Sequence, residues 1–303
     1  MQIDPTSLLI KLMLLVSILF ALAGCATVPV SPAIRPTVPP AASPTAALAA
    51  AAATSRMVIP IAATTVRVGQ HRYSAQVQVK TANEVTRTVR VNYLLYLPGR
   101  YGQDRRQKWP LILFLHGKDQ RGSDLNLLKK HPLPKILAQQ TDFPAIVLSP
   151  QLPVDDRWWT NMIEPVKILL DRIQSSYSVD PRRVYLTGLS MGGFGTWNFA
   201  LRYPERFAAV VPIAGGYLKG SDAIPENICS LSDLPIWVFH GDSDTIVRPY
   251  QSKILVEALK ACGGNVRLTL YPGVGHEGAW TRAYADPELY QWLFAQTIED
   301  GPD

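Results

Sequence analysis

The stretch Val184-Tyr-Leu-Thr-Gly-Leu-Ser-Met-Gly-Gly-Phe-Gly195 contains one abrupt change of pattern. It begins as an apolar, β-branched run, breaks at Gly188-Leu189-Ser190-Met191-Gly192 and resumes as a helix-like segment from Gly193 to Leu201. A strand, a sharp turn and a helix follow one another. In a Gly-x-Ser-x-Gly elbow the serine is held in a strained backbone conformation at the strand end, and glycines flank it because side chains would collide with neighbouring backbone. Ser190 is therefore the candidate nucleophile. The pentapeptide alone also fits ordinary Gly/Ser punctuation between strand and helix, so the rest of the chain has to supply its partners.

Working outward, alternation at Tyr73–Val79 and again at Val85–Leu97 predicts a two-strand antiparallel start, with Thr81–Glu84 between the strands. Pro98-Gly99 ends it. Trp109–Leu115 is a continuous apolar run of the kind buried on both faces of a parallel sheet. Strands at Ala145–Ser149, Val184–Thr187, Ala208–Ile213, Ile236–Phe239 and Val266–Tyr271 then alternate with helices at Glu164–Tyr177, Tyr250–Ala261 and Glu288–Thr297. Such alternation implies an α/β fold: a mainly parallel central sheet with helices on both faces and an antiparallel N-terminal pair.

In open sheets of this kind reactive groups gather at the carboxyl ends of the strands, where Ser190 lies. A serine hydroxyl needs a base to take its proton, and the base needs a carboxylate to orient it. Of the five histidines, only His240 and His276 follow Ser190 in the Ser–acid–His order that this architecture uses. His240 closes an apolar strand before Gly241 and reads as a turn residue. His276 lies in Tyr271-Pro-Gly-Val-Gly-His-Glu-Gly278, a glycine-rich loop after the last strand, and is the expected base. His71 and His131 sit in polar or Pro-flanked segments and read as surface residues.

The acid is expected from His240-Gly-Asp-Ser-Asp-Thr-Ile-Val247. Asp244 is favoured over Asp242, which follows the strand so closely that it reads as a turn cap. Glu277 is too close in sequence to His276 to face it. The developing oxyanion needs backbone N–H donors, expected from Met191, at the start of the helix after the nucleophile, and from Lys118, in the loop His116–Gly122 after Leu115. Trp158, Trp159 and Trp280 flank loops on the same side and are candidates for stacking on a substrate, although tryptophans serve equally as core. No Walker-type loop and no paired metal-ligand histidines occur in the sequence, so neither cofactor nor metal is expected.

From about Val85 onward the chain resembles the serine esterases of the α/β-hydrolase superfamily. It is most similar to the phospholipase/carboxylesterase and dienelactone-hydrolase-like group, including its predicted peptidases. The residues that carry the resemblance are Leu115-His-Gly117 with Arg121-Gly-Ser-Asp124, Ser149-Pro-Gln151, Asp180-Pro-Arg-Arg-Val184, Gly188-Leu-Ser-Met-Gly-Gly193, Tyr203-Pro-Glu-Arg-Phe207, His240-Gly-Asp-Ser-Asp244 and Gly275-His276. The resemblance implies acyl transfer through Ser190, Asp244 and His276 on a small-molecule or polymer-linked ester, and its pattern places the acid at Asp244. Two departures stand out. Dienelactone hydrolases proper carry cysteine where this chain has Ser190, and Lys118-Asp119 replaces the small or apolar residues common after His-Gly. Alternatives on the same fold are a serine peptidase, which usually needs a gating insertion that is not visible here, and an inactive surface-binding module, which would usually lack a triad member.

At the other end of the sequence, Leu12–Gly24 is an apolar run that closes on Leu22-Ala23-Gly24-Cys25, and it resembles a bacterial lipoprotein signal with its lipobox. The resemblance implies cleavage before Cys25, lipidation of Cys25 and anchorage on the outer side of a membrane. Residues 1–24 are then the signal, 25–64 a Pro/Ala-rich tether with too little bulky apolar surface to offset its ordering entropy, and 65–300 the catalytic domain. With 303 residues and 47% hydrophobic content the chain can bury one substantial core. Its formal net charge of +6 comes from scattered basic residues, without the stripe that a nucleic-acid partner requires. If Cys25 carries lipid, Cys229 and Cys262 remain. An even remainder outside the cytoplasm permits a disulfide, two separate buried thiols are the alternative, and the sequence leaves the pairing open.

Overall fold

The computed structural model describes residues 67–80, 83–156 and 158–299. The expected signal, Cys25 and the tether lie outside the described residues. Eight strands form one sheet in the order β1-β2-β4-β3-β5-β6-β7-β8. β1 (Gly69–Lys80) pairs antiparallel with β2 (Thr86–Leu97), and β2 pairs antiparallel with β4 (Ile146–Gln151). All later neighbours are parallel: β3 (Trp109–Leu115), β5 (Val179–Leu189), β6 (Ala209–Ile213), β7 (Ile236–Gly241) and β8 (Val266–Tyr271).

The apolar runs become central strands because both of their faces are covered. In β3, Leu111, Leu113 and Leu115 join one core cluster while Ile112 and Phe114 join the other, as the period of two requires. Each such side chain, fully buried, contributes roughly 1.5–3 kcal/mol relative to exposure. The first cluster lies under α1 (Ile163–Ser176), α2 (Met191–Arg202) and α3 (Tyr250–Ala261); the second lies under α4 (His276–Ala285), α5 (Pro287–Ala295) and the single turn Pro134–Leu137.

Two elements depart from the expectation. β5 begins at Val179 rather than Val184, with a register shift against β3 between Trp109 and Leu111. Asp180 stabilises that irregular stretch by accepting from the Arg182 amide and from Arg183 Nε. The segment read as a glycine-rich loop after β8 turns into α4 at His276 itself. Ala279, Trp280, Ala283 and Tyr284 give that helix a buried stripe, which offsets the cost of its glycine.

Cys229 and Cys262 form a disulfide with Cα atoms 5.4 Å apart. Cys229 lies in the turn Ile228–Leu231 before β7, and Cys262 caps α3 before β8. The bond therefore sits at the amino ends of these parallel strands, opposite the end that carries Ser190.

Candidate active site

The change of direction between β5 and α2 leaves Ser190 at φ 53°, ψ −117°, a conformation that costs a non-glycine residue of order 1–3 kcal/mol. The surroundings hold it there. Its amide donates to Ile213 O at 2.9 Å, and a Cβ on Gly192 would come within 1.9 Å of Leu115 O. Only glycine lets the first turn of α2 approach the end of β3 this closely.

Ser190 Oγ lies 2.8 Å from His276 Nε2, and His276 Nδ1 lies 2.6 Å from Asp244 Oδ2. The carboxylate can only accept, so Nδ1 carries the ring proton and Nε2 presents its lone pair to the serine hydroxyl. Asp244 is buried at 4% exposure. Burial alone would raise its carboxyl pKa, but hydrogen bonds from His240, His276 and the Val247 amide outweigh it and hold the group well below the ordinary carboxylate range. Asp242 serves the turn instead: its Oδ1 accepts from the Gly273 amide at 2.7 Å and from Ser243 Oγ at 2.9 Å.

The loops carrying Asp244 and His276 are joined through their backbones. The amides of Asp242 and Ser243 donate to Tyr271 O and Val274 O. A Cβ on Gly241 would meet Val274 O at 2.1 Å, so glycine is needed for the two chains to touch. The separation of Asp244 from His276 is thereby set by β7 and β8 rather than by mobile side chains.

Met191 and Lys118 each open a helical turn, where amide N–H groups have no intrahelical acceptor. Sequence reasoning missed what shapes the Lys118 loop. Gln120 is 1% exposed and accepts from the Gly117 amide through Oε1 while its Nε2 donates to Leu128 O. Gln151 Nε2 donates in turn to Gln120 O and Asp124 O. Gln151 already stood in the Ser149-Pro-Gln151 string; Gln120 carried no signal.

A cleft of about 710 Å³ opens over Ser190 and His276, with Lys118, Trp158, Trp280 and Ile246 in its wall. Trp158 packs edge-on against Phe194, with Lys219 Nζ 6.0 Å from its ring centroid. Trp280 sets its ring edge-on to His276 at 4.8 Å between centroids. Trp159 does not reach the cleft: it is buried in the core, and its indole N–H donates to His116 O. His131, read as a surface residue, is half-buried in the cleft wall with its ring edge-on to Trp280. His240, read as a turn residue, is fully buried against Asp244. Glu277 is exposed at the rim. Among the described residues, no group of three or more His, Cys, Asp or Glu side chains is arranged to hold a metal ion.

This sheet order, with a serine at the elbow between a central strand and its helix, is that of an α/β-hydrolase. The chain has the α/β-hydrolase fold, and its residues 142–282 match the phospholipase/carboxylesterase family. It is 33% identical over 116 residues to poly(3-hydroxyalkanoate) depolymerase C of Paucimonas lemoignei, a match covering 30% of this chain and 28% of that one. It is 29% identical over 146 residues to the bifunctional acetylxylan esterase/xylanase XynS20E of Neocallimastix patriciarum, covering 47% of this chain and 20% of that one. Among solved structures, a thermostable esterase superposes with a TM-score of 0.59 at 31% identity, covering 74% of this chain and 63% of that one. The chain thus spans less than a third of either of these two curated relatives.

Proposed function

We propose that the protein is a serine carboxylesterase that hydrolyses esters through an acyl-enzyme on Ser190. The observation that carries the reading is the hydrogen-bonded series Ser190 Oγ, His276 and Asp244, opening onto a cleft beside the amides of Lys118 and Met191. His276 Nε2 takes the hydroxyl proton as Ser190 Oγ attacks the ester carbonyl carbon. The carbonyl oxygen becomes an oxyanion held by the two amides, with the positive end of the α2 dipole behind Met191. His276 then gives its proton to the departing alkoxide. Water, deprotonated by the same ring, attacks the acyl carbon; the bond to Ser190 Oγ breaks, the acid leaves, and His276 returns the proton to the serine oxygen. Asp244 stays ionised throughout and stabilises the imidazolium.

The substrate is a small or polymer-linked ester. The names of the two curated relatives point to esters carried on polymers, and the apolar wall formed by Trp158, Trp280 and the 67%-exposed Ile246 suits an uncharged acyl chain. A lipidated Cys25 would hold the catalytic domain at the outer side of a bacterial membrane, and the disulfide accords with an oxidising compartment.

The test is Ser190→Ala. The variant is expected to lose both labelling by a fluorophosphonate probe and hydrolysis of acetyl, butyryl, longer-acyl and feruloyl esters, while its thermal midpoint stays that of the parent. Full turnover in the variant would dispose of the acyl-enzyme.

A further inference from the structure

His240 closes the apolar run of β7 and takes no part in the acyl transfer described above. Its ring nevertheless faces the carboxylate oxygen that His276 uses. Nε2 lies 3.1 Å from Asp244 Oδ2 and 2.9 Å from Val247 O. A carbonyl oxygen accepts only, and so does an ionised carboxylate. An unprotonated Nε2 would set its lone pair against two others in a fully buried place, three acceptors facing one another with no proton between them. Nε2 therefore bears a proton, divided between the two oxygens.

The far side of the ring is fixed as well. Nδ1 lies 2.8 Å from Ser252 Oγ, and that hydroxyl lies 3.0 Å from Gly215 O. Ser252 belongs to α3, and Gly215 to the loop that leaves β6. The imidazole thus bridges Asp244 and Ser252 of α3, and through the Ser252 hydroxyl it is tied to the loop after β6. Asp244 completes its own set locally, since Oδ1 accepts from the Ile246 and Val247 amides at 2.9 Å each. Those bonds fix one oxygen; the other is shared by the two histidines.

We infer that His240 is a positioning residue for the proposed triad, its Nε2–H holding Asp244 Oδ2 in line with His276 Nδ1 and stabilising the buried carboxylate. The inference rests on the reading of Ser190, Asp244 and His276 as that triad. His240 does not line the cleft, so its loss acts on turnover rather than on substrate binding.

The test is a double-mutant cycle in the full-length protein. His240→Phe keeps a ring and removes the donor. It is expected to lower kcat about tenfold to a hundredfold, the span of one hydrogen bond to a charged group, with KM unchanged. His240→Gln, which offers an amide donor toward Asp244, should recover most of that loss, whereas a purely structural role would give no such rescue. Asp244→Asn should by itself lower kcat by orders of magnitude, and adding His240→Phe should then cost little more, because no carboxylate remains to be positioned. A His240→Phe variant turning over at the parent's rate, or losses that multiply in the double variant, overturns the inference. Ser252→Ala covers the case in which His240→Phe does not fold: it should lower kcat more mildly, again without adding to Asp244→Asn, and additive losses refute the proposal. An Asp244→Asn enzyme at full turnover would overturn the triad and this inference together. A crippled Asp244→Asn enzyme beside an indifferent His240→Phe enzyme overturns the inference alone.

Discussion

Breaking the Cys229–Cys262 disulfide should lower stability substantially and leave catalysis alone. The bond closes a segment of 33 residues. Loop-closure entropy gives about 3 kcal/mol for a 15-residue loop and about 4.7 kcal/mol for a 100-residue loop, so this one stabilises the fold by about 3.7 kcal/mol. For a domain of this size each kcal/mol moves Tm by about 2–4 °C, which places the loss at about 7–15 °C. The bond joins the approaches to β7 and β8 at their amino ends, whereas Asp244 and His276 follow the carboxyl ends of the same strands. Values of kcat/KM measured well below Tm should therefore not change. The assay is calorimetric melting of the parent, of the parent with a phosphine reductant, and of Cys229→Ser/Cys262→Ser, with a thiol count on denatured, unreduced protein. Two titratable thiols in the parent, or a double variant that melts with the parent, would refute the argument.

Acid should destabilise the protein in a window set by His116. Burial lowers the pKa of that imidazole from 6.5 to about 4 in the folded state, so between those values the unfolded chain binds a proton that the folded chain does not. Its contribution is complete above pH 6.5 and is lost on acidification toward pH 4, a difference of about 3 kcal/mol; denaturant titrations across that range should show the slope, and His116→Gln should flatten it. Asp244 acts in the same direction but lower. Its carboxyl is held below the ordinary 3.8, so its share is complete above that value and drains only as the pH falls further. In cells, a palmitate analogue should label the parent and spare Cys25→Ala; an unlabelled parent would remove the proposed membrane anchor.

What could be read from the sequence is what neighbouring residues decide. β3, β6 and the Ile236–Phe239 part of β7 were visible because a segment buried on both faces is apolar at every position, and the sharpness of the elbow was visible because glycine alone tolerates Leu115 O so close to Gly192. The reading of Asp242 as a turn residue was local only in part: its Oδ1 accepts from neighbouring Ser243 Oγ, but also from the Gly273 amide 31 residues on, a partner that the segment itself does not reveal. The helix at His276 was hidden by the glycines around it, although Ala279, Trp280, Ala283 and Tyr284 already had helical spacing. Trp158 and Trp159 could not be told apart, because neighbouring residues point to different sides of the chain and composition does not say which side holds solvent.

His240 is the extreme case. Within its own segment it is a lone histidine before a glycine, and the turn reading is the economical one. Asp244 and Ser252 follow it by four and twelve residues in its own β7–α3 connection, but which ring nitrogen meets which of them, and the Gly215 carbonyl beyond β6 that holds Ser252, are fixed only once two neighbouring connections have packed side by side. Spacing alone does not separate a histidine that donates to Asp244 from one that shapes a turn, although the two residues are only four apart. The donor can be recognised by counting protons on a buried ring whose neighbours are acceptors, a count that becomes available only when the fold is known.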